Sequence, residues 1–63
     1  MDPYNEIERL LQEKREEAEE AKINAYIAAV FTGDARAYRQ YILRLYDLIV
    51  VIASLRLLLK SLN

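Results

Sequence analysis

After Pro3, a single glycine is the only helix breaker in these 63 residues, and it limits the possible folds more than any other feature. Two long helical segments flank this single breaker, and the local signals agree on where they start and stop. Two helices joined by one tight connection lie antiparallel as a hairpin. Asp2 followed by Pro3 reads as a helix N-cap and first helical residue, since the carboxylate accepts from orphan amides and proline has no N–H to leave unpaired. Gly33 after Thr32 suits the left-handed residue that closes a helix, and Asp34 is placed to cap the next one. The expected plan is one all-α domain over 1–63, with a first helix over about 3–31, a loop at 32–34 and a second helix over about 35–62.

Apolar spacing supplies the packing. Tyr4, Ile7, Leu11, Lys14, Ala18, Ala21, Ala25 and Ala28 alternate steps of three and four, as do Tyr41, Leu45, Leu48, Ile52, Leu55, Leu59 and Leu62. Each series is an a/d seam, broken once by Lys14. Folding at the glycine sets Ala25 opposite Tyr41, Ala21 opposite Leu45, Ala18 opposite Leu48, Leu11 opposite Leu55 and Ile7 opposite Leu59. Small faces large through half the hairpin, which fills space and lets the helices approach closely. The run Leu48 to Ile52 is β-branched and in isolation resembles a buried strand, but the period continues on both sides with no bounding turn residue, so a helix is expected there.

The second helix carries more apolar surface than one partner helix can cover. Its polar stripe is confined to Arg36, Gln40, Arg44, Asp47, Ser54 and Ser61, and Val51 and Leu58 interrupt it. Beyond the seam lie Tyr38, Ile42, Leu43, Tyr46, Ile49, Val50, Ala53 and Leu57. Each large side chain offers about 1.5–3 kcal/mol on burial, and an exposed face of this kind is anomalous on a monomer. The first helix differs: from Glu6 to Lys22 it is charged outside a narrow seam, and only near the turn do Ile23, Tyr26, Ile27, Val30 and Phe31 add a second apolar face. The pattern predicts a symmetric homo-oligomeric bundle, dimer to tetramer, with the second helix central and the first peripheral. Its expected contact residues are Tyr38, Ile42, Leu43, Tyr46, Ile49, Val50, Ala53 and Leu57, with Ile23, Ile27 and Val30.

Side-chain chemistry points away from catalysis. With no cysteine and no histidine there is no thiol nucleophile, disulfide, zinc-finger spacing or imidazole base. The Glu-rich stretch 13–20 reads as a solvated helix face, because bundle di-metal sites use an inward Glu-x-x-His pair. Lys14, if desolvated, would be a candidate nucleophile, but a snorkelling or register-setting lysine explains it without a pocket partner. Arg56 reads as an interchain ion pair or a snorkelled residue, and Ser54 and Ser61 have no base to activate them. The tyrosines fall at helical spacing on apolar arcs, which suits packing better than base stacking. No catalytic residue, metal, cofactor or small-molecule ligand is therefore expected.

Charge and hydropathy bear on partners and compartment. The stretch Tyr41 to Leu59 carries Arg44, Asp47 and Arg56, each costing about 2.5–3.5 kcal/mol near a bilayer centre, so no membrane span is expected. The N-terminus lacks a secretory pattern, and a soluble, cytoplasm-compatible chain is expected. In length and plan the chain resembles the Rop family of RNA-binding four-helix bundles, but no residue motif carries over. The outward surface of the first helix is net acidic, opposite to what phosphate contact requires, so no nucleic-acid partner is expected.

Taken across all 63 residues, the chain also resembles computationally (de novo) designed helical-hairpin homo-oligomers. The likeness is carried by Asp2-Pro3 opening a helix, Glu-Glu-Ala-Glu-Glu-Ala at 16–21, the minimal Thr32-Gly33-Asp34 loop and the lack of Cys, His and Trp. It implies that assembly itself is the purpose. Two features depart from an idealised design: the β-branched run and the interrupted polar stripe. They keep a second reading in play, a helical module whose second-helix face docks a different protein chain.

Overall fold

A computed structural model describes residues 2–62, which form two helices and their connection behind the capping residue Asp2. Helix α1 spans Pro3–Ile27, a π-helical turn follows over Ala28–Thr32, and helix α2 spans Ala35–Leu62. Residues 1 and 63, the ends of the expected 1–63 domain, lie outside the described residues. The Cα extents are 45 × 15 × 13 Å. A 28-residue helix alone is about 42 Å long at 1.5 Å per residue, so α1 must lie back along α2.

Both helix starts are capped by side chains. Asp2 takes an extended backbone conformation, and its Oδ1 accepts from the Tyr4 amide at 3.0 Å, with Pro3 as the first helical residue. Asp34 repeats the device at α2, where its Oδ1 accepts from the Ala37 amide at 3.1 Å. Each cap satisfies an orphan donor and is worth roughly 1 kcal/mol. Gly33 closes the first arm in the left-handed region at φ 62°, a conformation that residues with a Cβ rarely adopt.

The end of the first arm departs from a plain α-helix. The spacing predicts regular helix to about Phe31, but the last five residues widen into a π turn. The Ala28 carbonyl gathers the Gly33 amide, the Asp34 amide at 2.9 Å and the Thr32 hydroxyl at 3.2 Å. One acceptor thus receives the donors of three successive residues, and the wider loop carries the chain across to α2.

The seam is where the spacing sets it. Leu11, Ala21, Ala25 and Ala28 are buried on the first arm, with Leu48 and Leu55 buried on α2. Tyr4, Ile7, Lys14 and Ala18, and Tyr41, Leu45, Ile52 and Leu59, are half-buried between them. Leu62 is the exception and is exposed, because it sits in the last turn of α2 with no further turn of α1 to close over it. The run Leu48 to Ile52 is helical throughout. Lys14 ends its path through the seam at Glu17, Nζ to Oε2 at 2.9 Å, and Glu17 Oε1 also takes Arg44 of α2 at 3.3 Å.

Candidate interaction surface

Among the described residues only six apolar side chains are buried, while fifteen large ones are exposed. That imbalance follows from geometry, since each helix of a hairpin has one neighbour and can bury about one stripe against it.

The exposed set is organised. On α2, Leu43, Tyr46, Val50, Ala53 and Leu57 again alternate steps of three and four, forming a second seam on the side turned away from α1. All five are exposed, Leu57 at 66% and Val50 at 64%. Tyr38 and Ile49 lie on the flank between the two seams and are exposed as well. Ile42, on the same flank, differs from its expected outward position and is half-buried, because it also borders the contact with α1. Ile23, Ile27 and Val30 of the first arm are exposed at the loop end, level with Tyr38 and Ile42.

Tyr26 and Phe31 add an element that sequence spacing alone does not bring out. Five residues apart on a regular helix, two side chains point about 140° away from each other. Across the π turn they meet edge to face, with ring centroids 6.2 Å apart and planes at 67°. The i→i+5 widening turns Phe31 onto the side that carries Tyr26 and Val30, leaving it 74% exposed. No breaker marks this turn; the Thr32 hydroxyl, bonded back to Ala28, is the one local cue.

The two broad sides of the hairpin differ in chemistry. One holds a small crevice of about 140 Å³ between Glu17, Glu20, Ala21, Asn24, Tyr41 and Arg44, crossed by the Glu17–Arg44 ion pair. The Lys14 hydrogen bond is the main reason the Glu17 carboxyl titrates below its ordinary value; desolvation opposes the shift, and the Lys14 and Arg44 charges add to it. The other side holds an open groove of about 640 Å³ at the end away from the loop, with Leu11, Ala53, Leu57 and Leu59 along it and Arg15, Arg56 and Lys60 at its rim. Among the described residues none of these three cations takes part in an ion pair.

The serines do not make α2 wetter. Ser54 donates to the Val50 carbonyl at 3.0 Å and Ser61 to that of Leu57 at 3.1 Å, so both hydroxyls are spent on their own helix. Among the described residues no group of three or more acidic side chains is gathered as metal ligands, and no helix is long and apolar enough to cross a membrane. Compared with protein families, curated proteins and solved structures, the chain matches none.

Proposed function

We propose that the chain is a structural self-assembly unit, a hairpin that associates with copies of itself into a symmetric helical bundle and acts on no substrate. The observation that carries this reading is the second seam of α2, Leu43, Tyr46, Val50, Ala53 and Leu57, exposed along the side opposite the hairpin contact. A seam at coiled-coil spacing suits another helix, and the nearest supply of helices with matching spacing is a second copy of the chain. Isologous pairing would place α2 against α2 at the centre and leave the carboxylate-rich part of α1 in water. Likeness to designed hairpin oligomers supports the same reading, since in that class assembly is the purpose.

Coupling between folding and association gives the test. A hairpin stabilised by its own copies unfolds at a urea midpoint that rises with chain concentration, because anything binding only the folded state stabilises it by mass action. A rise across a hundredfold range of concentration supports self-assembly. A constant midpoint with a monomeric mass would contradict it and favour a module that docks a different chain, with α2 laid into a foreign groove.

A further inference from the structure

Two complementary features lie at opposite ends of one broad side of the hairpin. At the loop end, Tyr26 and Phe31 stand out as an exposed aromatic pair. At the open end, the groove of about 640 Å³ offers an apolar floor around Leu57 under the Arg15, Arg56 and Lys60 rim. The helical sense of α1 and α2 turns both toward the same side, since Tyr26 and Arg15 share a flank of α1 while Tyr38 and Arg56 share a flank of α2 at about 100° per residue.

We propose that the Tyr26–Phe31 pair of one copy seats in the cation-rimmed groove of a second copy, and reciprocally, about a two-fold axis crossing α2 near Ile49. This inference rests on the self-assembly reading and adds the orientation of the copies. Bump and groove are separated by roughly seventeen residues of α2, on the order of 25 Å, with Ile49 close to their midpoint. A two-fold there carries each bump onto the other copy's groove and runs the two α2 helices antiparallel. Aromatic faces suit the rim, because guanidinium and ammonium groups are attracted to ring π-systems. The parallel alternative stacks Arg56 and Lys60 against their own copies, setting like charges together over an apolar floor. It also leaves the open-end groove without the loop-end rings.

The chain has no cysteine, so a single spin label reports the orientation cleanly. Ser61 is exposed on the polar side of α2, away from the groove. In labelled Ser61→Cys chains the antiparallel pair places the two labels about 24 residues of helix apart, near 36 Å or beyond by pulsed EPR. A distance below about 25 Å in an associated sample overturns the orientation while leaving self-assembly standing; a monomeric mass for the same sample overturns both. Phe31→Ala provides the second arm. Its ring is 74% exposed in the single hairpin, so helicity should hold while the association constant falls tenfold or more. Unchanged association would remove the aromatic pair from the contact and overturn the proposal even with the long distance in place.

Discussion

Between Glu6 and Lys22, α1 shows water a surface of Glu, Arg and Lys, whereas between Tyr38 and Leu58, α2 shows it Tyr, Leu, Ile and Val. Both stretches are helical and both are built on the same three-and-four spacing. What differs is how many such stripes each carries: α1 has one and α2 has two. One stripe is what a hairpin partner covers, so the first explains the fold, and the second is surplus to the fold. On the self-assembly reading, folding and association would be written on the same helix at different angles and could be perturbed separately.

The sharpest way to break the comparison is Ile49→Asp. The side chain is half-exposed in the single hairpin, so the hairpin itself should lose little, but inside an assembly the carboxylate would be buried without a partner. A cost of at least about 3 kcal/mol is expected, enough to take the assembly to a 7.4 kDa monomer by sedimentation velocity. Glu16→Ala on the wet face of α1 is the control and should leave mass and midpoint unchanged.

Ala21→Leu attacks the other stripe. Ala21 is 2% exposed, so the larger side chain overpacks the seam at a cost of about 1–3 kcal/mol, read as a lower urea midpoint. A neutral result would place Ala21 outside the close contact and shift the register. Asp34→Ala removes the cap on the Ala37 amide and should cost about 1 kcal/mol, measured in the same way.

The smallest expected effect concerns the Glu17–Arg44 ion pair between the two arms. Glu17 titrates below its ordinary value, so its contribution is present at neutral pH, above the unfolded-state pKa, and fades as pH falls through the lower folded-state value. Glu17→Gln should therefore lower the midpoint slightly at pH 7 and make no difference at pH 2. A loss of equal size at both pH values would assign the effect to packing and not to charge.

The seam, the caps and the turn were legible because each is dictated locally. Seam periodicity needs only the spacing of apolar residues, Asp2 and Asp34 are good N-caps wherever a helix begins, and Gly33 is the residue that tolerates a left-handed backbone. The π turn was not legible for the complementary reason. Ala28, Ala29, Val30, Phe31 and Thr32 are compatible with ordinary helix, and the widening arises from how the Ala28 carbonyl satisfies the amides of the connection, which is a property of the closed hairpin. Helical angle alone sets Ile42 on the outer surface, since it does not tell how far a neighbouring helix overlaps the flank of a seam. Lys14 was legible as a seam exception, but its partner was not. Only the folded register brings Arg44 to the same Glu17 carboxylate that Lys14 reaches along its own helix.

Self-assembly would cover the second stripe of α2 with copies of the chain. Its most direct test is the absolute mass of the purified chain by light scattering on a sizing column over a hundredfold dilution. Self-assembly predicts a single sharp multiple of 7.4 kDa that persists on dilution. A monomer throughout, or a broad smear of masses, would contradict it.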